Sequence, residues 1–210
     1  MLEKTQVRIV AGSLRGRRLT CVVHEGMRPT PQLVREALFS ILGNAIPGRV
    51  FYDIFAGTGV VGLEAVSRGG SSSRLIEKDP RQVANIQKYA QSFGIADKVQ
   101  VLRADVYRWA ERWIPPTAGP VNLFLSPPFP DLSERIDEFL ALVTMLLEKA
   151  PDESVLVIQA EEGFPIDRLP QLDQWDIRSY GRNMLLFLVV SRDPGAATTG
   201  DPSVLPSPES

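Results

Sequence analysis

Short apolar runs alternate with longer stretches of helical periodicity along most of the chain. The predicted strands are 50–54, 72–76, 99–102, 121–125 and 155–159, and the predicted helices between them are 60–67, 80–93, 105–113 and 134–149. Two more strand-like runs, 175–180 and 184–190, have only a short turn between them, which indicates an antiparallel pair. The pattern therefore predicts an α/β fold with a doubly wound, mostly parallel seven-stranded sheet, covered by helices on both faces.

The N-terminal part of the chain has a different pattern. Residues 7–10 and 17–22 are short strand-like runs around a glycine-containing loop, which predicts a β-hairpin extension. A proline-rich break follows, in which Thr30 is the expected N-cap and Pro31 the first residue of an amphipathic helix. That helix is expected to end near Gly43.

Composition narrows the class of protein. Hydrophobic residues make up 44% of the chain and charged residues 23%, which is ordinary for a globular domain. Cys21 is the only cysteine and His24 the only histidine, so we expect no intrachain disulfide and no zinc or iron cluster. No apolar run has membrane-spanning length and no signal peptide is visible, which favours a cytoplasmic protein without a membrane partner. Residues 193–210, rich in Pro, Ser, Thr and Gly, are expected to be a disordered tail.

The charge is unevenly distributed. The chain carries −2 in total, but residues 1–49 contain eight lysines and arginines against three glutamates. This part is therefore at +5 and the remainder at −7. A basic head on an acidic body favours a phosphate-bearing partner that meets only the head. The alternative is a solvated hairpin whose charges bind nothing specific.

A glycine-rich turn follows the first predicted strand of the sheet. Segment 57–62 reads Gly-Thr-Gly-Val-Val-Gly, which matches the G-x-G-x-x-G pattern of dinucleotide-binding proteins. Asp53 lies just before it and would repel a pyrophosphate, whereas it would attract the cationic amino-acid part of S-adenosylmethionine. Glu77, which ends the next strand, suits the ribose of either cofactor, and Asp105 is placed to accept from an adenine amine. Three acids at three strand ends favour the cationic cofactor.

Structural interpretations of these residues remain open at this point. Asp105 is equally suited to cap the helix that it begins. Glu77 and Lys78 are neighbours and are also consistent with a surface ion pair. The glycine turn itself is also compatible with a purely structural role.

The fourth strand of the predicted sheet ends in the segment 126–129, Ser-Pro-Pro-Phe. Two prolines stiffen this turn, and acceptors at Ser126 and Pro127 are suited to hold the N–H groups of a nucleobase amine. Phe129 is expected to stack on the base, so catalysis would consist mainly of positioning. Ser126, Pro127, Pro128 and Phe129 are the predicted catalytic residues. The alternative is a strand-ending turn whose phenylalanine packs in the core.

Several motifs together resemble the RsmD-type bacterial 16S rRNA guanine-N2 methyltransferases. They are the segment 53–69 with the glycine turn, Ile-Glu-Lys-Asp at 76–79, Arg-Pro-Thr at 28–30 with the helix at 34–42, and the hairpin residues 8–12 and 16–17. The resemblance extends from about residue 7 to 190. The glycine turn alone indicates only a class I methyltransferase; the basic hairpin and the Arg-Pro-Thr segment narrow it to this family.

The resemblance implies roles for individual residues. The implied S-adenosylmethionine site contains Arg28, Thr30, Asp53, Phe55, Gly57, Gly59, Glu77, Lys78 and Asp105. The implied RNA-binding residues are Arg8, Arg15, Arg17 and Arg18. The implied organisation is a hairpin extension at 1–27, a methyltransferase domain at 28–192 and the tail. The implied partner is small-subunit rRNA in partly assembled 30S particles, and the implied enzyme is a monomer.

Ser126 departs from the resemblance, because that family usually has aspartate at this position. A neutral hydroxyl is a weaker acceptor than a carboxylate for the protons of an amine. Two alternatives follow from this departure: methylation of an amine in DNA or another RNA, and an rRNA-binding assembly factor with weakened catalysis. A dinucleotide oxidoreductase remains a third alternative because of the glycine pattern.

Overall fold

The computed structural model describes residues 3–23, 29–117 and 119–192. The strands of this described part are β1 Glu3–Arg8, β2 Arg18–Val23, β3 Val50–Ile54, β4 Ser72–Glu77, β5 Val99–Arg103, β6 Val121–Leu125, β7 Val155–Glu161, β8 Asp176–Tyr180 and β9 Asn183–Val189. The helices are α1 Gln32–Leu42, α2 Val60–Ser67, α3 Pro80–Ser92, α4 Val106–Arg112, α5 Phe129–Ser133 and α6 Ile136–Lys149. The predicted tail, 193–210, lies outside the described residues.

Seven strands form one sheet in the order β5-β4-β3-β6-β7-β9-β8. The first five are parallel, while β9 runs antiparallel to both β7 and β8. This confirms the predicted doubly wound sheet with its antiparallel edge. The chain builds outward from β3 in one direction and from β6 in the other, so these two central strands flank the crevice where ligands bind in such sheets.

Helices cover both faces of the sheet, and successive strand residues pack into opposite layers. Phe51 and Phe124 pack with the helices α1 and α2 in one apolar cluster. Tyr52 and Leu123, each one residue away, pack in the other cluster with α4 and α6. Because the central strands are buried on both faces, they read as continuous apolar runs in the sequence.

The N-terminal hairpin is packed onto the helices of the larger sheet. Its first strand lies earlier than predicted, at 3–8, and its second strand lies one residue later, at 18–23. Ile9, just after the first strand, accepts from the Gly16 amide and donates to the Arg17 carbonyl. The loop lies on the end of α2, where the Leu14 amide donates to Ser67 Oγ at 2.9 Å. A Cβ on Gly12 would lie 1.9 Å from the Ser67 carbonyl oxygen, so this approach requires glycine.

The polar break before α1 differs from the prediction in one respect. Pro31 is the N-cap, α1 begins at Gln32, and Thr30 makes no capping bond. The Thr30 hydroxyl instead donates to Gln159 Oε1 at 3.0 Å. The short helix α5 was also not predicted, because five residues are too few to show a helical period.

A buried ion pair fixes α1 against α2. Arg35 and Glu64 are 2% and 0% exposed, and Arg35 Nε lies 3.2 Å from Glu64 Oε2. The same guanidinium donates to the Thr30 carbonyl at 2.6 Å and to the Arg8 carbonyl at 2.8 Å. Desolvation lowers the pKa of Arg35, and the charge of Glu64 opposes that shift. One side chain thus connects the hairpin, the segment before α1 and the helix after the glycine turn.

Within the described residues, no helix is both long enough and apolar enough to cross a membrane.

We expect Arg35→Leu to lower the free energy of unfolding by about 3–5 kcal/mol, because it leaves the Glu64 carboxylate buried beside only one cation. Chemical denaturation measures this loss. Arg81→Leu is the matched control, since Arg81 pairs with Asp79 at the surface and is 69% exposed; it should cost less than about 1 kcal/mol. Equal effects of the two substitutions would show that the buried pair is not a major constraint.

Candidate active site

A cleft of about 660 Å³ opens at the carboxyl ends of the central strands. It contains most of the predicted site residues: Thr30, Asp53, Phe55, Gly57, Glu77, Lys78, Asp105, Ser126, Pro127, Pro128 and Phe129. Gly59 does not line the cleft; it ends the glycine turn and is the N-cap of α2. Arg28 lies outside the described residues. The sheet order thus brings together the glycine turn after β3 and the Ser-Pro-Pro-Phe turn after β6.

The glycine turn has an unusual backbone. Phe55 at the end of β3 has φ +69°, which is a left-handed conformation that side-chain-bearing residues rarely adopt. Gly57 and Gly59 follow with φ values of +52° and +73°. The Gly59 amide donates to the Ala56 carbonyl at 2.8 Å, and α2 begins directly after it. Strain of this kind persists where the surrounding structure determines the backbone, often at ligand sites.

Asp53 is a buried acid under this turn. It is 1% exposed, and among the described residues only the Gly62 amide donates to it, to Oδ2 at 2.8 Å. Burial raises the pKa of Asp53 to about 7; the Gly62 bond opposes that shift and the charge of Glu77 adds to it. The carboxyl group is therefore partly protonated at neutral pH, and a cation beside it would favour its charged form.

Glu77 holds the glycine turn against β4. Its Oε2 accepts from the Gly57 amide at 2.7 Å and its Oε1 from the Asp79 amide at 2.8 Å. The side chain is only 8% exposed and forms no ion pair with Lys78 in the described structure, so the surface-pair alternative is wrong. Each carboxylate oxygen has a further lone pair with which to accept from a ligand hydroxyl.

Asp105 does cap α4, as the structural alternative proposed. Its Oδ1 accepts from the Arg108 amide at 3.2 Å, and the side chain is exposed. It also lines the cleft, so capping leaves its second oxygen available to a ligand. The two interpretations of this residue are compatible.

The Ser-Pro-Pro-Phe turn forms the opposite wall of the cleft. Phe129 is 63% exposed, which excludes the alternative that its ring packs in the core. The Ser126 hydroxyl donates to Gln159 Oε1 at 3.2 Å. An exposed aromatic ring beside a fixed polar group is a suitable arrangement for holding a planar base.

The sequence interpretation missed several residues that line this wall. Tyr107 donates its hydroxyl to Asp131 Oδ2 at 2.7 Å, and the Arg135 guanidinium lies 4.2 Å from the centre of the Tyr107 ring. Burial and Asp131 both raise the pKa of Tyr107, so it stays protonated. Gln159 and Asn183 come from β7 and β9, which reach the cleft only through the order of the sheet. Gln159 was visible as the polar end of an apolar run; the others had no local signal.

The predicted RNA-binding residues lie on the hairpin. Arg8, Arg15, Arg17 and Arg18 are all exposed. Within the described ranges none of them forms a salt bridge, and the Arg17 guanidinium lies 5.8 Å from the centre of the Phe93 ring. Their positive charge is therefore available to a partner.

The two sides of the cleft differ in their chemistry. Buried acids lie on one side, and an aromatic, proline-stiffened turn lies on the other. In the part of the chain that the structure describes, no three His, Cys, Asp or Glu side chains are grouped so that they could hold a metal ion. The cleft is suited to hold a cation and a planar polar group next to each other.

Comparisons with known proteins show which proteins this chain resembles. A family model described as Conserved hypothetical protein 95 matches residues 7–189. The putative rRNA methyltransferase YlbH of Bacillus subtilis is 28% identical over 137 residues, which are 65% of this chain and 73% of that protein. Ribosomal RNA small subunit methyltransferase D of Escherichia coli K12 is 46% identical over 74 residues, which are 35% of this chain and only 37% of that protein. A solved structure, the putative methyltransferase yhhF from Escherichia coli, has a TM-score of 0.72 and 26% identity, covering 90% of this chain and 100% of that one.

We expect Gly59→Ala to destabilise the protein more than Gly94→Ala. Both glycines have φ near +70°, so each alanine costs about 1–2 kcal/mol for the left-handed backbone. Only at Gly59 would the new Cβ meet a neighbour, Ile86 Cγ1 at 2.6 Å, whereas nothing lies within 4 Å at Gly94. Denaturant unfolding of both variants should give a difference of roughly 1–3 kcal/mol. Equal losses would show that the turn tolerates a side chain.

Proposed function

The chain belongs to the family described as Conserved hypothetical protein 95, and from that premise we propose that it transfers a methyl group from S-adenosylmethionine to the exocyclic N2 amine of a guanine in small-subunit rRNA. The resemblance inferred from the sequence is confirmed by the family match and by relatives named rRNA methyltransferases. One observation carries the proposal: a single cleft joins a buried acidic glycine turn to the Ser-Pro-Pro-Phe turn.

The acidic side of the cleft fits the cofactor. When bound, S-adenosylmethionine supplies an electrophilic methyl group on a cationic sulfur. Asp53 and the Gly57 backbone would hold its amino-acid part, with Gly59 shaping the turn. Glu77 would accept from the ribose hydroxyls, while Phe55, Lys78 and Asp105 would border the adenine. The buried Asp53 carboxyl supports a cationic ligand over a dinucleotide, because a pyrophosphate would meet this acid directly.

The segment before α1 lies over the amino-acid end of this site. Thr30 is buried and lines the cleft, and its carbonyl and hydroxyl are held by Arg35 and Gln159. We assign to Thr30, with Arg28 beyond the described residues, the role of closing over the cofactor.

The other side of the cleft fits the nucleobase. The lone pair of a guanine amine is conjugated into the ring, so acceptors that hold its N–H groups are needed to direct the lone pair towards the methyl group. Ser126 and the proline-stiffened backbone at Pro127 and Pro128 would supply these acceptors, and Phe129 would stack on the base. The amine held by this turn would accept the methyl group that the bound cofactor supplies, and it would release one proton to solvent. Catalysis by positioning needs no strong base.

A guanine that is stacked within a helix cannot place its amine inside the cleft. We infer that the target guanine is unpaired or flipped out of its helix. The four exposed arginines of the hairpin would bind the surrounding phosphates. We further propose that the substrate is rRNA within partly assembled 30S particles and that the enzyme acts as a monomer in the cytoplasm.

The proposal predicts methyl transfer to unmodified small subunits. Purified protein incubated with methyl-labelled S-adenosylmethionine should place label in 16S rRNA, and mass mapping should find it on the N2 of one guanine. Label in DNA or in another RNA alone would contradict the rRNA assignment. Binding of particles without any transfer would favour the assembly factor, which the neutral Ser126 makes the second candidate function.

We also expect the affinity for S-adenosylmethionine to fall as pH decreases below 7. The pKa of Asp53 is about 7 in the free protein, and a bound cation would lower it, so binding must release a proton from the protonated fraction. Between pH 7.5 and pH 5.5 this linkage predicts a loss of roughly tenfold or more in affinity, measured by calorimetry. Asp53→Asn should bind weakly with little dependence on pH. A flat profile in the unsubstituted protein would contradict a contact between Asp53 and the cation.

A further inference from the structure

Two hydroxyl groups of the cleft converge on one oxygen atom. Gln159 Oε1 accepts from Ser126 Oγ at 3.2 Å and from Thr30 Oγ1 at 3.0 Å. Gln159 is half-buried near the end of β7, and its Nε2 donates to Asn183 Oδ1 at 3.2 Å. The Gln159 amide thus joins the segment before α1, the turn at Ser126 and the start of β9.

This contact restricts what the Ser126 hydroxyl can do. A hydroxyl has one proton to donate and two lone pairs with which to accept, and it normally rotates to suit its partner. A carbonyl oxygen has no proton, so the bond between Ser126 and Gln159 uses the single proton of the serine. The remaining lone pairs of Ser126 Oγ are then available to the cleft. In this arrangement Ser126 can only accept from a ligand.

An acceptor is what the target amine needs. The N2 group of guanine has two N–H bonds, while the adjacent ring nitrogen N3 is an acceptor. A freely rotating serine would be able to donate to N3 instead, which would hold the base without directing the lone pair of the amine. With its proton bonded to Gln159, Ser126 can accept from the amine but cannot donate to N3. In this orientation the Gln159 Nε2 donates to Asn183 Oδ1.

We propose that Gln159 is the positioning residue that makes Ser126 an obligate hydrogen-bond acceptor for the target amine, in place of the carboxylate expected there from the resemblance. This inference rests on the proposed function. It assigns a role to a residue that the glycine and Ser-Pro-Pro-Phe motifs do not include. In the present orientation of the Gln159 amide, an aspartate at position 126 would set a carboxylate oxygen against its carbonyl oxygen, whereas the serine hydroxyl donates to it.

A double-mutant cycle tests the inference. Gln159→Met keeps the length of the side chain but removes the acceptor, and we expect it to lower kcat for rRNA methylation roughly tenfold at saturating cofactor, as for the loss of one directed hydrogen bond. Ser126→Ala should lower kcat at least as much. Because Gln159 acts through Ser126, the double variant should be no slower than Ser126→Ala alone. Additive losses in kcat would overturn the proposal.

Two further variants separate orientation from simple packing. Gln159→Glu retains an acceptor for Ser126 but adds a negative charge to the cleft, so its kcat should lie above that of Gln159→Met and below that of the unsubstituted enzyme, with the Asn183 amide turned to donate. Gln174→Met is the matched control, an exposed glutamine away from the cleft, and should change nothing. A Gln159→Glu variant as slow as Gln159→Met would contradict an accepting role.

Measurements of folding and of cofactor binding distinguish a loss of catalysis from a loss of structure. Thermal unfolding and calorimetric binding of S-adenosylmethionine show whether each variant is folded and binds the cofactor. If Gln159→Met does not fold, Asn183→Ala releases the same amide; it should lower kcat when Ser126 is present but cause no further loss when combined with Ser126→Ala. Absence of methyl transfer by the unsubstituted enzyme would refute the proposed function, whereas normal transfer by Gln159→Met would refute only this inference.

Discussion

The buried ion pair between Arg35 and Glu64 is the constraint on which the cleft depends. Taking both charges out of water costs several kcal/mol, which is offset only when all their hydrogen bonds are made. Arg35 therefore has to meet Glu64 and the carbonyls of Arg8 and Thr30 together. Glu64 also accepts from Arg68 at 2.8 Å, so its second oxygen is satisfied as well. The hydrogen bonds of these charged groups fix the hairpin, the segment before α1 and α2 in one arrangement.

The rest of the site follows from the sheet. α2 begins at the glycine turn, so an ion pair that holds α2 also holds the backbone over Asp53. The turn at Ser126 belongs to the neighbouring strand β6 and builds the other wall. Gln159, on the next strand, bonds both Ser126 and Thr30. Arg35 thus ties the segment before α1 to α2, which follows the glycine turn, and Gln159 ties the same segment to the turn at Ser126.

The features that the sequence predicted well are local ones. The glycine turn, the acids at strand ends and the order of strands and helices depend on residues close together in the chain, and β3, β4 and β6 lie within one residue of their predicted bounds. Thr30 was wrongly taken as a helix cap because its real partner, Gln159, is 129 positions away. Asn183 was missed because β9 inserts between β7 and β8, which no local pattern shows. Gln159 is visible locally only as the polar end of an apolar run, since its partners Ser126 and Thr30 are distant in sequence.

Charge gives a reason for a neutral acceptor at position 126. Among the described residues, the cleft is lined by five acids against three cations, and the charge of Glu77 contributes to the raised pKa of Asp53. The acids are Asp53, Glu77, Asp105, Asp131 and Glu161, and the cations are Lys78, Arg135 and Arg182. Another carboxylate would add to this repulsion and would lie near the phosphates of an RNA substrate. A serine whose proton is bonded to an amide presents lone pairs to the amine without adding a charge. In the proposed mechanism the fixed direction of this hydroxyl would offset its weaker acceptance, because positioning catalysis depends on the orientation of the reacting groups.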